Sequence, residues 1–184
     1  MRVVGIDPGT HNCGYAVIEF SGSRASIQGL GVWKLSTPRA KPSLGERLER
    51  LHSRVSELFV KWNPTLIGLE KAVVFKNVGS SLKLSEARGV IRLSAFQRLS
   101  EADARIVEIS PTMVKKHTAG WGMAGKADML RILEFRFQGL HEIASQEDFS
   151  YDAFDALGIA WSAHVLKSRA FLPRGAFESP AQEM

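Results

Sequence analysis

Apolar residues in this chain keep two different rhythms, and the change from one to the other marks out its elements. Near the N-terminus, Val3-Val4-Gly5-Ile6 runs without polar interruption and closes on Asp7. Pro8-Gly9-Thr10 follows, and then Gly14-Tyr15-Ala16-Val17-Ile18. That order predicts a buried strand, a tight turn and a return strand. Residues 26–36 alternate through Ile27, Leu30, Val32 and Leu35 and predict a third strand. Thr37-Pro38-Arg39-Ala40-Lys41-Pro42 has the chemistry of a loop. The period then lengthens: Leu44, Leu48, Leu51, Val55, Leu58 and Phe59 keep helical spacing behind Ser43, with Glu46 placed for a capping box and Asn63-Pro64 as the stop.

The second half repeats the pattern. Thr65-Leu66-Ile67-Gly68-Leu69 predicts a short strand ending in Glu70. After Gly79-Ser80-Ser81, the positions Leu82, Leu84, Ala87, Val90, Ile91 and Ala95 predict a long helix. Residues 104–109 predict a fifth strand, and Ser110-Pro111 opens a helix that Gly120-Trp121-Gly122 breaks. Further helices are expected over 127–137 and from 151 to about 167, the last capped by Ser150. Hairpin strands followed by strands alternating with helices give an α/β fold, a mixed sheet with helices on its faces.

The 184 residues fit one domain, here 1–169, followed by a tail over 170–184 with two prolines and few large apolar residues, which is expected to be mobile. No apolar run reaches the length of a membrane span. The first residues lead straight into a strand, unlike a signal peptide. The lone Cys13 excludes an internal disulfide and a cysteine-based zinc site, and a cytoplasmic setting is expected. Net charge is +5, and the cations gather in two groups. Lys71, Lys76, Lys83, Arg88, Arg92 and Arg98 follow Glu70; Lys115, Lys116, His117 and Lys126 form the second group. A polyanionic partner is the expectation.

Acids carry the candidate chemistry. Asp7 and Glu70 each end an apolar strand, where a carboxylate is costly to bury without a partner. Asp152 and Asp155 lie three apart near the start of the final helix and so share a face. Singly, each has a bland reading: a turn residue, an ion pair with Lys71 or Lys76, or charges that suit a helix N-terminus. Together, four carboxylates at one sheet edge would repel strongly, and divalent cations relieve that repulsion. Cysteine-free carboxylate sites favour Mg²⁺ or Mn²⁺ over Zn²⁺. His117 and His164 have no ligand spacing and read as structural.

At this point the residues resemble a known family. Gly5-Ile6-Asp7-Pro8-Gly9-Thr10 with Gly14-Tyr15 is similar to the opening of the RuvC-type Holliday junction resolvases. In the family's order there follow Leu69-Glu70, Lys76-Asn77, Leu82-Lys83-Leu84, Ala87-Arg88-Gly89, Pro111 with Val114-Lys115, Gly120 with Gly122, Lys126, and Asp152-Ala153-Phe154-Asp155-Ala156-Leu157. The resemblance implies an RNase H-like fold with a five-stranded mixed sheet flanked by helices. It places the catalytic, metal-holding acids on Asp7, Glu70, Asp152 and Asp155, and the catalytic-region lysines on Lys115 and Lys126. It also implies a homodimer that cuts two opposing strands of a four-way DNA junction and works with the branch-migration proteins RuvA and RuvB.

One departure concerns DNA contact. The family carries an aromatic three positions after this glutamate, where Val73 stands here; Phe75 is the nearest aromatic. Either Phe75 takes the stacking role or Val73 and Val74 form a smaller apolar wedge, while the bland reading has Phe75 anchoring the loop. Lys76, Asn77, Lys83, Arg88 and Lys116 are the expected DNA contacts beside Lys115 and Lys126. Hydrolysis with two Mg²⁺ or Mn²⁺ ions per site is the expected mechanism. Three rivals remain in view. A phosphotransferase shares the Asp-x-Gly-Thr hairpin but needs a second domain. Another RNase H-like nuclease would act on RNA–DNA hybrids or flaps. A non-catalytic protein would bind junctions and leave them intact.

Overall fold

A computed structural model describes residues 1–37, 41–71, 78–144 and 150–170. Five strands form one sheet: β1 (Arg2–Asp7), β2 (Asn12–Ser21), β3 (Arg24–Lys34), β4 (Leu66–Glu70) and β5 (Ile106–Ile109). Their spatial order is β3-β2-β1-β4-β5. The first three pair antiparallel, as the hairpin signals predict. β4 and β5 then add in parallel beside β1, because a helical crossover precedes each. This is the five-stranded mixed sheet that the resemblance implies.

The strand period of two sorts the core onto two faces. Val4, Ile6, Val17, Ile67 and Leu69 point to one side, where α1 (Leu44–Trp62) and α2 (Val78–Arg98) pack. Val3, Ala16, Ile18, Leu66 and Ile109 point to the other, which is covered by α4 (Pro111–Ala119), α5 (Lys126–Arg136) and α7 (Tyr151–Ala170). The predicted capping box of α1 is present: Ser43 N–H donates to Glu46 Oε2 at 2.7 Å and Glu46 N–H to Ser43 Oγ at 3.3 Å. Asn63 ends the helix in the left-handed conformation, at φ 39°.

Several element bounds differ from the sequence reading, and two short helices are added. α2 starts at Val78, so Gly79-Ser80-Ser81 lies inside the helix. The fifth strand begins at Ile106, because Ala102–Arg105 forms a short helix, α3. Arg105 there turns back to donate to Pro64 O at 2.9 Å and Asn63 Oδ1 at 3.3 Å, tying the strand's start to the end of α1. A further short helix, α6 (Leu140–Ala144), follows the left-handed Gly139 and buries Leu140.

The last helix lies unusually close to the sheet, and glycine is the reason. A Cβ on Gly5 would overlap the carbonyl oxygen of Ala156, and one on Gly14 would overlap that of Asp152. On Gly68 it would stand 2.8 Å from the carbonyl oxygen of Ile159. Ala156, Ala160 and Ala163 face the same strands and are fully buried. Small residues on both sides thus bring the backbone of α7 directly onto β1, β2 and β4.

Candidate active site

Strand register brings the first two acids together. Ile6 and Leu69 are parallel partners on adjacent strands, so Asp7 and Glu70 extend the pairing side by side at one sheet edge. Asp7 also pairs with Gly14 of β2, and Gly14 is the residue on which the Asp152 carbonyl rests. The glycine seat therefore sets the first turn of α7, with Asp152 and Asp155, over the ends of β1 and β4. The turn after Asp7 is braced from the other side. His11 O accepts from Leu35 N at 2.7 Å, Ser36 Oγ lies 2.7 Å from His11 Nδ1, and the Arg47 guanidinium lies 2.8 Å from Nε2.

Electrostatics show how closely the acids are coupled. Burial, followed by the charges of Glu70, Asp155 and Asp152, pushes the Asp7 carboxyl up to about 8. Burial and then Asp155 also raise Glu70. Lys126 opposes both shifts from a more exposed position, and Arg88 opposes that of Glu70. Lys126 Nζ is bonded to Asp155 Oδ2 at 2.9 Å and lies 5.3 Å from the centre of the Tyr151 ring. Its own pKa is raised, mainly by the bond to Asp155.

The donor set fits a hard divalent cation: four carboxylates, with Cys13 fully buried among apolar neighbours and no histidine in the coupled group. The burial and mutual repulsion that resist ionisation of Asp7 and Glu70 are what such an ion relieves. Among the described residues, no three ligand side chains already converge on a common point. The helix acids are engaged elsewhere, Asp155 by Lys126 and Asp152 by the Ser150 hydroxyl at 3.3 Å. Asp7, Glu70, Asp152 and Asp155 are the residues that would hold such an ion.

The other expected site residues separate into three groups. Lys83 and Lys116 are exposed on α2 and α4, and Lys115 is partly buried. Val73, Phe75, Lys76 and Asn77 lie outside the described residues. Arg88 departs from the expectation of an open DNA contact: it is only 8 % exposed and donates to Glu108 Oε1 at 2.5 Å. Arg92 donates to the same oxygen at 2.7 Å. The sequence reading passed over Glu108, although an acid between Val107 and Ile109 in a strand gives the same signal that singled out Asp7. The two histidines read as structural are packed as such. His117 is buried on α4, with its carbonyl accepting from Trp161 Nε1 at 3.2 Å, and His164 stacks on Phe20.

Comparison with known proteins bears on the whole of this architecture. The family model described as "Crossover junction endodeoxyribonuclease RuvC" matches residues 3–163. The protein of that name from Thermotoga petrophila is 35 % identical over 170 residues, covering 92 % of this chain and 95 % of its own. Its counterpart in Treponema denticola is 36 % identical over 156 residues, covering 84 % and 82 %. Among solved structures, T. thermophilus RuvC in complex with a Holliday junction substrate superposes with a TM-score of 0.76 at 26 % identity, over 92 % of this chain and 96 % of that one. The yeast mitochondrial Holliday junction resolvase Ydc2 shares the fold, with a TM-score of 0.63 at 17 % identity over 92 % of this chain and 82 % of that one.

Proposed function

This chain belongs to the RuvC family of crossover junction endodeoxyribonucleases, and from that premise we propose that it resolves four-way DNA junctions by paired, symmetric, metal-dependent nicks. The observation that carries the reading is the placement of Asp7, Glu70, Asp152 and Asp155 at one sheet edge, where burial and then the charges of the other three acids push Asp7 up to about 8. Asp7, Glu70, Asp152 and Asp155 would hold the metal. Two Mg²⁺ or Mn²⁺ ions bound there would activate the attacking water and relieve charge on the leaving oxygen.

The chain's own residues do the rest. Asp7 and Glu70 sit at rigid strand ends and fix the centre. Asp152 and Asp155 sit on a helix turn and can exchange partners. Lys126, held beside Asp155, would be placed to meet the negative charge that develops on phosphate. Lys115 orients the scissile phosphate. Lys83 and Lys116 make backbone contacts, which position the duplex without reading its sequence. Phe75 or Val73 meets the bases. The scaffold runs over residues 1–169, with 170–184 as an appended tail.

A homodimer suits a substrate with two-fold symmetry. α2 supplies a surface for it: Leu82, Leu93 and Phe96 are exposed along one face, and the intervening Gly89 opens onto free space. The spacing of seven, four and three residues keeps these positions on one stripe. RuvA and RuvB complete the reading as partners. Among the described residues no helix is long and apolar enough to cross a membrane, and a cytoplasmic setting where DNA is handled fits the reading.

The test uses a synthetic four-way junction and a matched linear duplex, each with Mg²⁺ and with EDTA. Paired nicks on the junction alone, in metal alone, support the proposal. Junction binding without cleavage in Mg²⁺ or Mn²⁺, across junctions of varied core sequence, would overturn catalysis. Cutting of RNA–DNA hybrids in preference to junctions would overturn the substrate.

A further inference from the structure

Arg88 is a buried arginine near the catalytic edge, paired with the exposed Glu108, and the fold alone does not supply a purpose for its burial. Leu69 and Glu108 are parallel partners on β4 and β5, so Glu108 stands one residue back from Glu70 on the neighbouring strand. Its side chain follows that of Leu69 to the α2 face, where Arg88 and Arg92 both donate to its Oε1. Two guanidiniums on one carboxylate leave the group with an excess positive charge.

Arg88 is buried, yet its Nη1 has no hydrogen-bond partner among the described residues. Leaving such a donor unsatisfied is costly, and more so when it is charged. Glu70, also largely withdrawn from solvent, makes no side-chain hydrogen bond among the described residues, and its charge interacts with that of Arg88. A buried donor without an acceptor among the described residues thus interacts electrostatically with the Glu70 carboxylate.

We infer that Arg88 is a positioning residue for the reacting centre: fixed on Glu108, it supplies the hydrogen bond that holds the Glu70 carboxylate when metal is bound. Glu108 sets the guanidinium, the guanidinium sets Glu70, and Glu70 presents its other oxygen to the ion. Loss of such an outer partner commonly weakens metal affinity about 10–100-fold. The inference rests on the reading of Glu70 as a metal ligand, and its test separates the two.

The experiment measures Mn²⁺ binding by electron paramagnetic resonance to the DNA-free protein, for wild type, Glu70→Gln, Arg88→Met, Arg88→Lys and Glu108→Gln. Junction affinity in EDTA is measured beside it. Expected is a loss of roughly tenfold or more in Mn²⁺ affinity for Arg88→Met and Glu108→Gln. Arg88→Lys should recover part of that loss, and junction affinity should stay within about twofold of wild type. Unchanged Mn²⁺ binding in Arg88→Met while Glu70→Gln weakens it would overturn the positioning role alone. Unchanged binding in both would overturn the ligand assignment and the inference with it. A junction-affinity loss with intact Mn²⁺ binding would make Arg88 a DNA contact instead. Should Arg88→Met fail to fold, Glu108→Gln and Arg88→Lys decide by the same readouts.

Discussion

Asp7 combines a rigid position with an unfavourable charge, and the two together dictate how it responds to pH. Its carboxyl, at about 8 in the fold against an ordinary value of 3.8, binds a proton more tightly in the native state than in the unfolded one. Native protein therefore holds more protons between those values, and metal-free stability falls as pH rises through that window. Thermal melting in EDTA from pH 4 to 8 should show this decline, and Asp7→Asn should flatten it. At pH 8 the Asn variant should be the more stable in EDTA, by an amount on the order of a few kcal/mol. Metal competes with that proton, so affinity for Mn²⁺ should climb over the same range. Asp7→Asn should also abolish cleavage while junction binding in EDTA persists, and retained nicking would remove Asp7 from the mechanism. Lys126→Ala should divide the two roles of its contact: slower cleavage, by roughly a hundredfold, without weaker Mn²⁺ binding. Asp7 and Glu70 were legible in the sequence because an acid at the end of an apolar run is chemically conspicuous. The burial of Arg88 was not legible, because it stands among other basic residues in a helix and only the fold shows its pairing with Glu108.

Elements read well where period and caps agreed. The helix behind Ser43 had both, and its box and its Asn63 stop stand where expected. The fifth strand was read two residues too long, since Ala104-Arg105-Ile106 alternates acceptably as a strand and only the bonds of Arg105 to Asn63 and Pro64 pull it into a turn. The seat of α7 was not legible at all. Gly5, Gly14 and Gly68 lie in different strands, and nothing local says that one helix rests on all three. That seat makes a firm prediction. Gly14→Ala should lift the first turn of α7 away from β2, because the new methyl meets backbone that cannot rotate aside. The expected cost is at least about 2 kcal/mol in urea unfolding. Weakened Mn²⁺ binding should accompany it even though no carboxylate has changed. Gly89→Ala, which meets open space in the middle of a helix, should be neutral or slightly stabilising for the protomer.

For the molecule as a whole, charge and symmetry govern the encounter with DNA. Junction affinity should fall steeply with salt, and removal of Lys83 or Lys116 should weaken binding while making that fall shallower. The exposed stripe on α2 should bury itself against a second copy: sedimentation of Leu82→Arg with Leu93→Arg should shift the protein toward monomer, with single nicks replacing paired ones. A dimer unaffected by both substitutions would place the interface elsewhere. Fold class was open to reading at this scale because strands and helices alternate in an order that admits few topologies. The partner surface was not, since exposure of Leu82, Leu93 and Phe96 depends on which face of α2 the sheet has already claimed.

The glycine seat also has a consequence in time. β1 and α7 lie far apart in the sequence, yet each covers the other, so the helix-facing side of β1, β2 and β4 stays uncovered until α7 has been synthesised. Two of the four acids arrive with that helix. A nascent chain from which α7 has not yet emerged therefore lacks two of the four candidate acids, and competence as a nuclease is expected only once that helix has docked.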